Sequence, residues 1–203
     1  MPRLVLGLIS GAGGGKQTFS QHLKEWADES GLTVEVFATG SGGVLGGLAK
    51  ELEFTGFKVD TANLARLANA IRKHLGKNFM ARAMFRGIQA SNADIAVYDA
   101  IRWREDFDAV RAFGLKSHIL YIQADQETRY KRIRDRRRDS ESAMTFREFI
   151  LREGDETARE IPILAHQADS TLSNIGSESD FRVVTRNFLE RTTRPALLSP
   201  NSP

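Results

Sequence analysis

Ser10-Gly11-Ala12-Gly13-Gly14-Gly15-Lys16-Gln17-Thr18 stands between an aliphatic run at residues 3–9 (RLVLGLI) and a segment in which Phe19, Leu23, Trp26 and Ala27 recur at helical spacing. The run predicts a buried strand and the recurrence a helix from Lys16 to about Ser30, stopped by Gly31. What lies between them is a strand-to-helix loop built almost entirely of glycine. Such a loop can turn successive backbone N–H groups onto one anion, and the helix opening at Lys16 adds its positive N-terminal dipole. Gly11, Gly13, Gly14, Gly15, Lys16, Gln17 and Thr18 are therefore the candidate phosphate-binding residues. Lys16 would reach the outer phosphates of ATP. Gln17 occupies the position just after the lysine, so the hydroxyl offered to Mg²⁺ is that of Thr18. The common pattern begins with a glycine where Ser10 stands, and Gly11 and Gly13 compensate.

Working outward, LTVEVF at 32–37 is β-branched and alternating, which predicts a second strand, and TGSGGVLGG after it predicts a flexible junction. Helical segments follow at about 45–53 and 61–90, the second broken near Gly76 and Lys77. A third strand at 94–98 ends at Asp99, a helix at 105–113 is closed by Gly114, and a fourth strand covers 117–122. Helices at 126–137 and 145–152, a short strand at 171–173 and a helix at 178–191 complete the pattern. Strands alternating with helices over the whole length predict a parallel sheet covered on both faces, joined by right-handed crossovers. Residues 1–191 read as one domain, with a lid at about 126–155, and the proline-bearing tail 192–203 reads as disordered.

A chain of 203 residues with 41% hydrophobic and 27% charged residues and a net charge of +3 is that of an ordinary globular domain. It contains no cysteine, which excludes disulfides, thiolate metal sites and cysteine nucleophiles. The apolar stretch after Met1 is too short to span a membrane and has no cleavage site, so a cytoplasmic location without membrane partners is expected. The four histidines show no metal-ligating spacing and are assigned no role.

A phosphoryl-transfer site needs an acid at the end of a neighbouring strand, to hold metal-bound water or to accept the acceptor's proton; Asp99 is in that position. Arg102 projects from the same loop and, with Arg72 on the preceding helices, is the candidate clamp on an acceptor phosphate. The run of arginines from Arg129 to Arg138 reads as a mobile lid that brings positive charge to the site on closure. Arg134 and Arg138, four apart on one helix face, are the pair expected on the migrating phosphoryl group.

GAGGGKQT, LARLANAIRKHLGKNFMARAMFRGI at 64–88, VYDAIRWREDFDAVRA at 97–112 and RYKRIRDRRRDS with FREFILREGDE and ADSTLSNIGS behind it carry a resemblance. Together they resemble the deoxynucleoside monophosphate kinase and dephospho-CoA kinase branch of the P-loop kinases, over nearly the whole chain up to about Glu190. The resemblance implies a three-layer α/β/α P-loop NTPase fold, with a five-stranded parallel sheet and a helical lid. It also implies ATP and Mg²⁺ as cofactors and places Asn174 beside the adenine. In one respect the chain departs from that pattern: Phe37-Ala38-Thr39-Gly40-Ser41 lacks the aspartate that usually follows the second strand.

The activity expected is ATP-dependent phosphorylation of a (deoxy)nucleoside monophosphate or a similar small nucleotide-like acceptor. The altered second-strand loop and the basic lid also admit a coenzyme precursor or a modified base in DNA, with DNA as a partner second to the small molecule. A nucleotide-binding regulator of weak activity is the alternative of another class.

Overall fold

Leu4–Ile9 forms β1, and every residue in it is buried, as a strand covered on both faces requires. The computed structural model describes residues 1–40, 42–136, 144–154 and 156–198. After β1 come α1 (Lys16–Glu29), β2 (Val34–Ala38), α2 (Val44–Glu51), a 3-10 turn at Glu53–Thr55, α3 (Thr61–Leu75), α4 (Phe79–Ala90) and β3 (Ile95–Ile101). Then follow α5 (Arg104–Arg111), β4 (Ser117–Gln123), α6 (Gln126–Asp135), α7 (Phe146–Glu153), α8 (Glu156–Ala165) and β5 (Ser170–Ser173). The described chain closes with α9 (Glu178–Phe188), a π-helical turn at Leu189–Thr193 and α10 (Arg194–Leu198).

The five strands pair in parallel in the order β2-β3-β1-β4-β5. Alternation along β1 divides the interior. Leu4, Leu6 and Leu8 face α1 and α9, where Phe19, Leu23, Trp26, Phe181 and Phe188 pack. Val5 and Ile9 lie on the other face, with Met84 and Ile88 of α4, Phe107 and Val110 of α5 and Leu164 of α8. Gly7 is required on that second face, because a Cβ there would stand 2.6 Å from Ile101 Cδ1. The result is the three-layer α/β/α architecture expected from the alternating pattern.

Two smaller clusters sit apart from the sheet. Leu45, Ala49, Leu64 and Ile71 join α2 to α3, with Phe57, Val59 and Met80 packed against them. Ile133, Met144 and Phe149 join α6 to α7. The helical stretch after β2 breaks between Leu75 and Phe79, where Gly76 adopts φ 96°.

Two elements differ from expectation. Helix α8 carries Pro162 in its interior, which breaks the propensity pattern; its Ile161 and Leu164 nevertheless bury against the sheet. The expectation of a disordered tail from 192 is corrected for 192–198, which are helical; 199–203 lie outside the described residues. Apolar burial is the reason, since Leu189 and Leu197 join the cluster under α1 and α9. Polar contacts add to it: Trp26 Nε1 donates to Glu190 (2.8 Å), Arg194 Nε to Glu190 (2.5 Å) and Arg3 to the Leu197 carbonyl (2.6 Å). Pro195 follows closely on the π-helical turn at Leu189–Thr193, where the helical hydrogen-bond register changes. Among the described residues no helix is long and apolar enough to cross a membrane.

Candidate functional site

The loops at the carboxyl ends of β1, β3, β4 and β5 converge, which is where an open parallel sheet binds ligands. The loop after β1 ends at Gly15, in a left-handed conformation with φ 105°, and α1 starts at Lys16 with no side-chain cap, leaving its first N–H groups free for an anion. Gly13 is also left-handed, at φ 77°. The glycines are required by close packing as much as by conformation. A Cβ on Gly14 would collide with Ser10 Oγ, and one on Gly15 with the Asn174 amide; one on Gly11 would lie 2.6 Å from Arg129 Nη1. Ser10 is buried and donates from Oγ to the Ile122 carbonyl (2.8 Å), tying the start of the loop to β4. A serine in the usual glycine position therefore serves the sheet.

Lys16 is partly buried, and its Nζ donates to the Ser10 carbonyl (3.4 Å) at the mouth of the loop. Desolvation lowers its pKa to about 8; Asp99 opposes that shift, while Arg102, Arg136 and Arg129 add to it. Even with Arg129 paired to Glu153, these cations around Lys16 and Asp99 leave a site that lacks negative charge, which is what a polyphosphate brings. Asp99 lies within β3, two residues before its end, and its Oδ1 is buried with no hydrogen-bond partner among the described residues. A buried, unpartnered carboxylate oxygen is costly unless a cation or a proton donor completes it. Thr18 is partly buried in the first turn of α1. A hydroxyl and one acid beside a phosphate cradle suit Mg²⁺, which keeps most of its water and takes few protein ligands.

Arg102 follows β3 and is exposed, and its backbone is held by a buried group. Asp106 accepts from the Arg102 and Trp103 N–H groups (3.1 Å each) and from Tyr98 Oη (2.6 Å). Burial raises the pKa of both Asp106 and Tyr98, with the Tyr98 and backbone hydrogen bonds working against the shift at Asp106. Arg72 of α3 lies over the Trp103 ring at 3.9 Å and 3.7 Å from Glu105. Arg72 is thus held against Trp103 and Glu105, the segment that directly follows Arg102.

Other expected residues stand elsewhere. Arg134 is exposed, with its guanidinium 5.7 Å from the Tyr130 ring and 4.0 Å from Asp135, and it is not among the charges acting on Lys16. Arg136, two residues on, is one of them. Arg138, with most of the run from 137, lies outside the described residues. Asn174 was expected beside the adenine, but its Nδ2 donates to the Gly14 carbonyl (2.9 Å) and its Oδ1 accepts from Arg132 (3.1 Å), behind the loop.

Arg129 and Arg132 carry contacts that the sequence reading did not assign. Arg129 is 8% exposed and donates to the carbonyls of Ala124 (3.1 Å) and Ala12 (3.3 Å), and both its Nη atoms pair with Glu153 of α7. Arg129, Arg132 and Arg136 stand at i, i+3 and i+7, one helix face, which is the signal that separates them from Arg134.

No family model matches the chain. Compared with known proteins, it is 28% identical over 149 residues to a UPF0200 protein of Methanoculleus marisnigri, covering 73% of this chain and 81% of that one. A UPF0200 protein of Hyperthermus butylicus is 27% identical over 151 residues, covering 74% and 80%. Among solved structures, TT1252 from Thermus thermophilus superposes with a TM-score of 0.59 at 19% identity, over 95% of this chain and 100% of that one. Shikimate kinase from Bacteroides thetaiotaomicron gives 0.57 at 12% identity, over 92% and 97%. The fold is that of the P-loop kinases. At these identities the structural likeness speaks for the fold alone.

Proposed function

We propose that this chain transfers the γ-phosphoryl group of ATP to a nucleotide-like acceptor, with (deoxy)nucleoside monophosphates first among the candidates. The observation that carries this reading is a desolvated lysine, Lys16, its pKa lowered to about 8, within electrostatic reach of Asp99, whose buried Oδ1 has no hydrogen-bond partner among the described residues. Catalysis of phosphoryl transfer is positioning plus charge neutralisation, and these residues supply both. The loop N–H groups and Lys16 bind the donor's phosphates. Thr18 and Asp99 would hold Mg²⁺, which supplies charge neutralisation on the transferred group. Arg102 orients the acceptor from the β3 side, and Arg136 adds charge from α6. An acceptor phosphate oxygen displaces ADP at the γ-phosphorus, so no side chain needs to form a covalent intermediate. Among structural neighbours, shikimate kinase is by its name a kinase of shikimate, which fits phosphorylation of a small molecule by this fold.

The segment from 61 to 93 contains Arg66, Arg72, Lys73, Lys77, Arg82 and Arg86 and not one aspartate or glutamate, which supports an anionic acceptor. The same segment favours a second reading. Lys73, Lys77, Arg82 and Arg86 are exposed, and none has a carboxylate partner among the described residues, more charge than one monophosphate needs. A nucleotide within a DNA strand would use it.

The test is release of ADP from ATP and Mg²⁺ in the presence of nucleoside monophosphates, dephospho-CoA or a single-stranded oligonucleotide, with Lys16→Met as control. Acceptor-dependent turnover abolished by Lys16→Met supports the kinase and names its substrate. Tight ATP binding that no acceptor converts to turnover would identify a regulator instead.

A further inference from the structure

Two carbonyls of the loop after β1 are held from outside. Arg129 Nη1 donates to the Ala12 oxygen (3.3 Å) and Asn174 Nδ2 to the Gly14 oxygen (2.9 Å). A trans peptide is planar, with its C=O and the next N–H pointing in opposite directions. Fixing the Ala12 and Gly14 carbonyls outward therefore aims the N–H groups of Gly13 and Gly15 inward, toward the concavity that Lys16 closes. Gly13 and Gly15 are the loop's two left-handed residues, at φ 77° and 105°, so the reversals fall where glycine permits them.

Both braces rest on α6. Arg129 reaches the loop directly, fixed in place by Ala124 and Glu153. Arg132 acts through Asn174, donating to its Oδ1 (3.1 Å) and to its backbone carbonyl (3.0 Å). With Arg129 and Asn174 only 8% and 4% exposed, water competes little for either bond. The packing is equally close: Arg129's carbonyl and Asn174's amide fill the space that a Cβ on Gly13 or Gly15 would take.

We propose that Arg129 and Asn174 are positioning residues that set the loop's N–H groups for a polyphosphate, with α6 as their common support. The proposal rests on reading the loop as the polyphosphate site. It gives Asn174 a task indifferent to the base, where a place beside adenine would have made it a reader of the base.

Tripolyphosphate, which has no base, separates the two roles. Its affinity, and those of ADP and GDP, are measured calorimetrically on the full chain, on Asn174→Ala, and on Arg129→Lys, which keeps the charge but cannot serve Ala12, Ala124 and Glu153 together. Asn174→Ala is expected to weaken tripolyphosphate and ADP by the same factor, about tenfold or more, with the ADP-to-GDP ratio unchanged. Arg129→Lys is expected to weaken both about fivefold despite its retained charge. Leu197→Ala, which empties part of the core far from the loop, serves as the control for general destabilisation and is expected to lower Tm without changing these affinities. Loss of ADP affinity with tripolyphosphate binding intact would overturn the proposal in favour of base recognition, and wild-type affinities in both variants would overturn it outright. A wild-type chain that binds neither tripolyphosphate nor ADP would sink the reading of the loop itself.

Discussion

On the proposed donor side of the cleft, the arginines that brace the loop, Arg129 directly and Arg132 through Asn174, are fixed by several partners each: Arg129 by Ala12, Ala124 and Glu153, Arg132 by Asn174 and Gly176. On the proposed acceptor side, α2 and α3 share a small cluster of their own around Leu45, Leu64 and Ile71, and α3 and α4 carry exposed cations without carboxylate partners among the described residues. The first arrangement lowers the cost of ordering when a ligand binds. The second leaves charge and helix position to be settled by the ligand. A donor shared by many kinases suits a preformed cradle, and an acceptor that must be selected suits a unit that can adjust.

The largest expected effect tests the donor side. Lys16→Met should reduce phosphoryl transfer about a thousandfold. It should also raise the Tm of the ligand-free protein at pH 7, because a desolvated ammonium close to three other cations is removed. A fall in Tm would break the claim that the cradle is charge-frustrated when empty. Asp99→Asn should lower turnover about a hundredfold while ADP affinity without metal stays within about twofold, read by steady-state kinetics and calorimetry. Weaker metal-free ADP binding would mean that Asp99 supports the loop rather than the reacting groups.

Next in size is the contrast between cores. Ile71→Ala should cost about 2–4 kcal/mol, felt as lost hydrogen-exchange protection confined to α2 and α3, whereas Leu23→Ala under the sheet should lower protection throughout. Equal, global losses from both would show that the acceptor helices are not a separate unit.

The pH dependence follows from Lys16. Its pKa in the folded chain, about 8, lies below the ordinary lysine value of 10.5, so the cost of burying its charge is fully present below pH 8. Between pH 8 and 10.5 the unfolded chain binds the extra proton, and the stability of the ligand-free protein gains a rising contribution from this group. Polyphosphate favours the charged lysine, so ADP affinity should decline above pH 8, with proton uptake on binding. A flat affinity from pH 7 to 9.5 would contradict this. Smallest of all, Arg134→Ala should change turnover by less than about twofold, against about tenfold for Arg136→Ala, in parallel assays.

Much of the geometry of the loop after β1 was legible in the chain because its requirements are local. Glycines at 11 and 13–15, a lysine at the helix start and an acid near the end of a strand can each be read without knowing what packs around them. The break at Gly76 and the alternating strands were legible for the same reason. The arginines were harder. Arg134 and Arg136 are chemically identical and two residues apart; their spacing puts them on different helix faces, and the placement of α6 decides which face acts on Lys16.

The sequence by itself determined a parallel α/β sheet and a glycine loop opening a helix, since periodicity and φ freedom act over a few residues. The tertiary structure decided that Asn174 braces Gly14 from 160 residues away, that Glu153 locks Arg129, and that 192–198 fold as helix against Trp26 and Leu189. These depend on which distant surfaces meet. A donor's direction and a tail's burial are properties of the packed layers, and no local pattern encodes them.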